Sequence, residues 1–139
     1  MKFKTPKQKS RERAVQALYQ FFISGDDIVD IEKQFLEQKK TKISKTFFTL
    51  LLRGSVKEKV ELEKLISEFS ERKLDEIAPV EKAILYVGLF ELKNVLQTPL
   101  KVVLNEAVEI AKLFGADGSF KYINSALDSA SKKLRKAGV

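Results

Sequence analysis

Five polar residues between positions 99 and 128 are the first candidates for chemistry in this chain. Their segment is predicted to form two amphipathic helices, at 99–114 and from 119 onward, joined by a short loop that contains glycine. The apolar positions account for packing, whereas the polar ones are more specific than packing requires. Together with the basic amino terminus, they suggest a helical module that holds an anionic partner. The five are Asn105, Glu106, Lys121, Asn124 and Asp128.

Two carboxylates in this region have the spacing of a catalytic pair. Glu106 and Glu109 lie three residues apart and would share one helix face, as a general acid and base can. The chain has no histidine and no cysteine, which excludes zinc sites with nitrogen or sulfur ligands, histidine bases and serine–histidine–aspartate triads. A second polar cluster, a metal motif and a glycine-rich phosphate cradle are also lacking. We therefore expect a protein that is not an enzyme and that needs no cofactor or metal.

The loop at 115–119 presents the start of a new helix. If that helix begins at Ser119, its free backbone N–H groups and its dipole suit a phosphate, although the P-loop pattern does not occur. A simpler interpretation makes Gly115 a carboxyl-terminal cap and Ser119 an amino-terminal cap. Just downstream, Lys121 would suit a phosphate and Tyr122 an unpaired base. A plain solvated helix face is the alternative for this pair.

Charge is distributed unevenly along the chain. The 26 basic and 19 acidic residues leave a net charge of +7, which favours polyanionic partners, nucleic acid first. Residues 1–13 carry six basic side chains, from Lys2 to Arg13, against Glu12 alone, while the stretch 58–76 leans acidic. This polarity indicates two faces with different partners, although a frayed, solvated terminus also explains the basic one. The tail adds Lys132, Lys133, Arg135 and Lys136.

Size and composition indicate one soluble domain. With 139 residues, 44% of them hydrophobic and 32% charged, the chain can bury a core and stay in solution. Its longest apolar run, 83–90, is far shorter than the roughly 20 residues of a membrane span. The absence of cysteine fits a reducing compartment, and no signal-peptide pattern follows the basic start. We expect a cytoplasmic protein.

Helical periodicity extends over nearly the whole sequence, and strand-like alternation is almost absent. The predicted fold class is all-α, a compact bundle of about seven helices. Residues 83–90 are apolar on every side, which is typical of a central helix surrounded by others. Gly54 is either a point of close helix approach or an ordinary surface glycine. The helical segments are 7–23, 28–38, 45 to about 70, 79–95, 99–114 and 119–135, with a loop at 39–44 and Ser44 as the cap of the third.

Four segments carry a resemblance to a known family. They are RERAVQALYQ (11–20), VEKAILYVGLFEL (80–92), PLKVVLNEAVEIAKLFG (99–115) and SFKYINSALD (119–128). In this order, and over nearly the whole length, the chain resembles the NusB family of bacterial transcription antitermination factors. The resemblance implies an all-helical fold of two packed three-helix subdomains, roughly 1–75 and 76–139. It also implies binding to the boxA RNA of ribosomal RNA leader transcripts, together with the ribosomal protein NusE, in an elongating RNA polymerase complex.

The family's functional positions carry over to residues of this sequence. Six of them would contact RNA: the basic start corresponds to Lys7, Lys9, Arg11 and Arg13, and a basic–aromatic pair to Lys121 and Tyr122. Positions expected at the NusE interface correspond to Tyr19, Asp75 and Glu81. The chain departs from the family pattern at Tyr86, Gly118 and Ser125–Ala126.

Two sets of substitutions would test these assignments. Charge reversal at Arg11 and Arg13 is expected to weaken RNA binding without unfolding the protein. The substitution Glu81→Lys is expected to impair NusE capture and to leave RNA binding intact.

Other functions compete with antitermination. NusB-like domains also occur fused to ribosomal RNA cytosine methyltransferases, where they help to bind RNA, although this chain leaves no room for the methyltransferase. A protein-binding scaffold would show no salt-sensitive RNA affinity, and DNA binding lacks a recognition-helix motif. Some members of the family form homodimers, so self-association stays open.

Overall fold

Seven α-helices make up the part of the chain that the computed structural model describes, residues 3–38 and 42–135. No strand occurs in these residues, so the predicted all-α fold class is confirmed. Lys2, Lys136 and positions 39–41 of the predicted loop lie outside them. The helices are α1 (Pro6–Ser24), α2 (Ile28–Leu36), α3 (Lys45–Lys57), α4 (Lys59–Phe69), α5 (Pro79–Asn94), α6 (Leu100–Phe114) and α7 (Ser119–Leu134), with a short 3-10 turn (Leu74–Glu76) before α5.

Local caps set the ends of α1 and the start of α3. Thr5 and Gln8 form a reciprocal capping box, and Pro6 takes the first helical position of α1. Gly25 ends α1 at a φ of +71°, a left-handed conformation that glycine adopts without strain. The Ser44 hydroxyl accepts the backbone N–H of Phe47, which confirms the predicted cap of α3.

The prediction of one helix from 45 to about 70 is wrong, because two helices meet at Glu58. Glu58 has φ −96° and ψ 19°, and it both ends α3 and precedes α4. Neither proline nor glycine adjoins it in the sequence. The break coincides with a tertiary contact, since Lys93 and Asn94 donate to the Glu58 carboxylate over 2.8 and 3.2 Å. Apolar periodicity continues across the break, which is why the pattern alone predicts a single helix.

The central position predicted for the apolar segment 83–90 is confirmed. Every residue of α5 from Ala83 to Leu92 is buried, and α1, α3, α4, α6 and α7 all pack against this helix. A side chain on Gly54 of α3 would overlap the ring of Phe90, so Gly54 marks a close helix approach rather than an ordinary surface position. α5 is therefore enclosed by five neighbours.

Contacts along α5 give the bundle two distinct ends. The starts of α5 and α7 and the last turns of α1 meet at one end, which we call the Glu81 end. The start of α1 and the last turn of α5 meet at the other, the Glu91 end. Ten residues of helix separate Glu81 from Glu91, about 15 Å at 1.5 Å per residue. The contacts that set these directions are Ser119–Glu81, Arg135–Glu91, Arg11–Glu91 and Phe22–Tyr86.

Arg135, which belongs to the basic tail of the sequence, is buried at the Glu91 end. Its guanidinium donates to backbone carbonyl oxygens at and just after the end of α5, among them those of Leu92 (2.7 Å), Val95 (3.1 Å) and Thr98 (2.9 Å). The Leu92 carbonyl lies in the last turn of α5 and has no partner within the helix, so Arg135 acts as a side-chain cap of α5.

α2 packs on α1 and α3 only, through Ile28, Ile31, Phe35 and Leu36, and its Glu32 pairs with Arg53 over 2.6 Å. Only Ile31 and Glu32 of this helix are buried, and Phe35 stacks on Phe48 of α3 with ring centroids 6.0 Å apart. Val29, on its outer side, is 60% exposed.

One continuous hydrophobic cluster runs through the described residues, with members in all seven helices. The division into subdomains near residue 75 stays a prediction. Within the same residues, no helix is long and apolar enough to span a membrane, and no group of acidic side chains is placed to hold a metal ion.

The Gly54 contact generates a test of the packing. In Gly54→Ala, the added methyl group must displace the buried Phe90 ring, and overpacking of this kind costs about 1–3 kcal/mol, more than the helix propensity that alanine gains. We expect urea unfolding to show a lower free energy of unfolding. The matched control is Lys57→Ala on the exposed side of α3, with little change expected; equal stability of both variants would contradict the close packing.

Candidate nucleic-acid and protein interfaces

The basic start of α1 is partly exposed, as predicted. Lys7 is exposed and Lys9 is half-buried. The Lys7 ammonium lies 5.3 Å from the centroid of the Phe47 ring, so the side chain extends along α3. Neither lysine forms an ion pair within residues 3–38 and 42–135, which leaves both charges available to a polyanion.

Tertiary packing adds two lysines to this region that the sequence analysis missed. The Ser10 hydroxyl donates to the carbonyl oxygen of Ser44 (3.0 Å) and accepts the Ser44 N–H (2.8 Å), which holds the start of α3 against α1. Lys42 and Lys45 flank Ser44 and are exposed. No local signal links Ser10 to Ser44, 34 positions apart, so only the fold reveals the two lysines. We call Lys7, Lys9, Lys42 and Lys45 the Lys7 patch.

Arg11 does not fit its predicted contact with RNA phosphates, because it is buried. Its Nε and Nη2 donate to the two carboxylate oxygens of Glu91 over 2.8 and 2.7 Å, and its Nη1 donates to Glu106 over 3.1 Å. Burial alone would lower the pKa of Arg11, but the hydrogen bonds and charges of Glu91 and Glu106 outweigh it and raise the pKa. We therefore assign Arg11 a structural role that joins α1, α5 and α6.

Glu106 is accordingly one of the two carboxylates that hold Arg11. It accepts from Arg11 and also from the Gln8 side chain over 3.2 Å. Its neighbour Glu109 is exposed and lies 3.8 Å from Lys112. The two carboxylates of the candidate catalytic pair therefore have different surroundings.

Arg13 lies on the wall of an open groove rather than in the Lys7 patch. The groove has a volume of about 810 Å³ and runs along the second half of α1 toward the Glu81 end. Tyr19 and Ile23 line it and are 42% and 59% exposed, and the Arg13 Nη1 donates to Gln16 over 2.7 Å beside them. Large apolar side chains left exposed around a concavity are typical of a protein-binding site. This Tyr19 groove is lined by Arg13, Gln16, Tyr19, Ile23, Phe35, Val80 and Phe114, among others.

Glu81 does not fit the prediction of an exposed acidic contact for a partner. It is 5% exposed, pairs with Arg72 over 2.9 Å and accepts a short hydrogen bond from the Ser119 hydroxyl. Asp75, by contrast, is exposed in the 3-10 turn just before α5. Of the three predicted partner residues, Tyr19 and Asp75 are therefore accessible and Glu81 is not.

The simpler interpretation of the loop is confirmed for Gly115, which is the carboxyl-terminal cap of α6, and α7 begins at Ser119 as expected, but Ser119 is not its cap. Gly118, not Ser119, is the amino-terminal cap, at a φ of +82° that favours glycine. Ser119 is the first helical residue and is buried. Because the Glu81 carboxylate already lies at this helix start, a protein group takes the place that an anionic ligand would need.

Tyr122 is less accessible than its predicted stacking role requires. Its hydroxyl shares a hydrogen bond with Ser70, and the Arg72 guanidinium lies 4.0 Å from its ring centroid. Burial raises the pKa of the Tyr122 hydroxyl, against the opposing effects of Ser70 and Arg72. Lys121, its neighbour, is exposed as predicted.

The structure does not bring the two predicted RNA-contacting groups together. The Lys7 patch lies at the Glu91 end, whereas Lys121 and Tyr122 lie at the Glu81 end, about 15 Å away along α5. Tyr122 is instead joined through Arg72 to Glu81, a residue predicted for the other partner. The two predicted faces therefore share one polar network at the Glu81 end.

The positions that depart from the family pattern each have a local role. Tyr86 is buried, contacts Phe22 edge-on at 5.1 Å and donates to Glu63, and burial raises the pKa of its hydroxyl. Gly118 supplies the left-handed cap of α7. Ser125 is exposed, and Ala126 is buried in the core.

The chain is similar to known proteins over nearly its whole length. The model of the NusB family matches residues 8–132. A transcription antitermination protein NusB of Pectobacterium carotovorum is 43% identical over 131 residues, 94% of each chain, and that of Alcanivorax borkumensis is 42% identical over 132 residues, 94% of this chain and 88% of its own. Among solved structures, T. maritima NusB has a TM-score of 0.86 at 29% identity, with 98% of both chains covered. A structure of antitermination factors NusB and NusE in complex with dsRNA shares the fold, with a TM-score of 0.82 at 21% identity over 91% of this chain and 96% of that one.

The buried position of Arg11 reverses the outcome expected from charge reversal at this residue. Removing the guanidinium in Arg11→Ala leaves Glu91, 1% exposed, without its partner, which costs about 3–5 kcal/mol. Arg11→Glu adds a third carboxylate and is expected to cost more. Urea unfolding followed by circular dichroism measures the loss.

Lys9→Ala is the control, because it removes a cation from the same helix and breaks no ion pair. We expect its free energy of unfolding to stay within about 0.5 kcal/mol of the unsubstituted protein. A similar value for Arg11→Ala would return Arg11 to the set of RNA contacts.

Proposed function

Because the chain belongs to the NusB family, we propose that it is a cytoplasmic antitermination factor that binds the boxA RNA of ribosomal RNA leader transcripts together with NusE. In this role it joins the elongating RNA polymerase complex and catalyses no reaction. It acts by holding nascent RNA and a partner protein on one scaffold. The observation that carries the proposal is the coexistence of an exposed basic patch and a separate apolar groove on α1.

The Lys7 patch supports the RNA-binding half of the proposal. Lys7, Lys42 and Lys45 lie where the start of α1 meets the start of α3, and Lys9 adds a fourth cation on the first turns of α1. Each phosphate that they neutralise releases counterions. In the structurally similar complex, NusB is bound to NusE and to a double-stranded RNA, so that protein has both a protein partner and an RNA partner. Arg13 and Lys121 extend the proposed contacts toward the Glu81 end. A single strand that reaches from the patch to Lys121 must cross at least the length of α5 between Glu91 and Glu81, about 15 Å.

The Tyr19 groove supports the NusE half of the proposal. Tyr19 is an amphipathic side chain held on a rigid helix, a type of residue that often dominates binding energy at protein interfaces. Asp75 adds an exposed negative charge in the turn before α5, whose first turn supplies Val80 to the groove. A basic ribosomal protein would find an apolar surface and an acidic margin there.

Charge reversal in the Lys7 patch tests RNA binding. For Lys7→Glu with Lys9→Glu, we expect at least a tenfold higher Kd for boxA RNA at low salt. The slope of log K against log salt should fall by about 1.4, because each lost phosphate contact on a single strand contributes about 0.7. Fluorescence anisotropy with boxA RNA and a scrambled RNA, each with and without NusE and at several salt concentrations, measures both values.

The matched control reverses two exposed lysines of α4, in Lys59→Glu with Lys64→Glu. Both double variants change the net charge equally, so a specific patch predicts loss only in the first. Equal loss in both would show that net charge alone governs binding. Equal, weak binding of both RNAs by the unsubstituted protein, whether or not NusE is present, would overturn the proposed function.

Substitution of Tyr19 tests the partner groove. In Tyr19→Asp, we expect the affinity for NusE to fall at least tenfold, about 1.4 kcal/mol, because a charge replaces the aromatic contact. The free energy of unfolding should stay close to that of the unsubstituted protein, since Tyr19 is 42% exposed. Isothermal titration calorimetry measures the affinity.

Leu96→Asp provides the comparison for this experiment. Leu96 is 58% exposed and follows α5 at the Glu91 end, away from the groove. NusE binding should survive this substitution. Unchanged binding by Tyr19→Asp would place the partner on another surface.

A further inference from the structure

One guanidinium at the Glu81 end joins Tyr122 to a buried carboxylate. Arg72 lies between α4 and the 3-10 turn, and its side chain is 41% exposed. Its Nη1 donates to Glu81 over 2.9 Å, and its central carbon lies 4.0 Å from the centroid of the Tyr122 ring. Among the described residues, Glu81 is the only carboxylate that pairs with Arg72.

This arrangement decides which surface an RNA base can meet. Tyr122 packs against the hydrophobic core, its hydroxyl is held by Ser70, and Arg72 lies over its ring. A base that stacked directly on Tyr122 would have to displace Arg72 from both the ring and Glu81. The outward surface at this point is the guanidinium itself.

We propose that Arg72 is the stacking surface for an unpaired RNA base at the Glu81 end. Guanidinium planes stack on bases as aromatic rings do, and an arginine that is already stacked and paired loses little freedom when a base arrives. Tyr122 supports the guanidinium from behind, and Glu81 holds its edge. Tyr122 is thus a positioning residue for Arg72.

Local charge favours a base over a phosphate as the ligand of Arg72. Glu81 already compensates the guanidinium, and Glu71 and Asp75 add exposed carboxylates nearby in the chain. A phosphate would be repelled by these groups, whereas the face of a base would not. Lys121, exposed and without an ion pair within the described residues, is the better phosphate contact. One nucleotide can then place its phosphate at Lys121 and its base on Arg72.

The inference rests on the proposed function, because it assigns one base of the same RNA. The substitution Arg72→Lys separates the two ligand chemistries, since lysine keeps the charge and can still pair with Glu81 but has no planar face. For a stacking role, we expect Arg72→Lys to raise the Kd for boxA RNA about tenfold, close to the effect of Arg72→Ala. The salt dependence of binding should remain nearly unchanged in Arg72→Lys.

The matched control is Lys73→Ala, which removes the adjacent exposed cation and leaves the stacked pair intact. A second measurement uses boxA RNA with 2-aminopurine at successive positions, whose fluorescence rises when the base leaves the stack of its neighbours. We expect an increase at one position, retained in Lys73→Ala and lost in Arg72→Lys. This scan of the unsubstituted protein is decisive even if the Arg72 variants fold poorly, because absence of an increase at every position would overturn the proposal.

Other outcomes also separate the possibilities. If Arg72→Lys binds as tightly as the unsubstituted protein while Arg72→Ala loses affinity and lowers the salt slope by about 0.7, Arg72 contacts a phosphate and the stacking role is wrong. If both variants bind normally, Arg72 is not in the RNA site, although the proposed function survives. If the unsubstituted protein does not distinguish boxA from scrambled RNA, the proposed function fails first and this inference fails with it.

Discussion

The buried ion pair between Arg11 and Glu91 is the interaction on which the placement of both candidate surfaces depends. A charge in the interior is tolerated only when its partners and hydrogen bonds are in place, and here three guanidinium nitrogens donate to Glu91 and Glu106. A shift of α1 by one helical turn, about 5.4 Å, would separate Arg11 from Glu91. The pair therefore sets the axial position of α1, with Lys7 one turn before Arg11 and Tyr19 two turns after it.

Most of the fold could be predicted from the sequence because its helices are bounded by local signals. Thr5 with Pro6, Gly25 and Ser44 are short-range caps, and the all-round apolar character of 83–90 predicts the central helix. The break at Glu58 could not be predicted, since its visible counterpart is a contact with Lys93 and Asn94 from another helix. The spacing of apolar residues shows which face of a helix is buried. It does not show that the helix axis changes direction at Glu58, because the same face stays buried on both sides of the break.

The candidate surfaces were harder to predict than the fold, because residue type does not reveal whether a charge is paired. Arg11 and Lys7 look alike in the sequence, yet one is paired in the interior and the other is exposed. Glu81 is likewise paired with Arg72, nine residues before it, and with Ser119, 38 residues after it. Lys42 and Lys45 could not be predicted as part of the basic surface, because only the Ser10–Ser44 contact brings them to α1.

The attachment of α2 to α1 and α3 alone gives the Tyr19 groove two walls of unequal rigidity. Backbone amides in the middle of α5, enclosed by five helices, exchange with solvent only on large-scale opening, whereas α2 has fewer neighbours to leave when it opens locally. The Val80 side chain on the groove wall comes from α5, and the Phe35 side chain comes from α2. A protein seated in the groove therefore meets one surface of fixed shape and one that adapts to it. Hydrogen exchange of α2 should slow on complex formation, while that of α5 has little room to change.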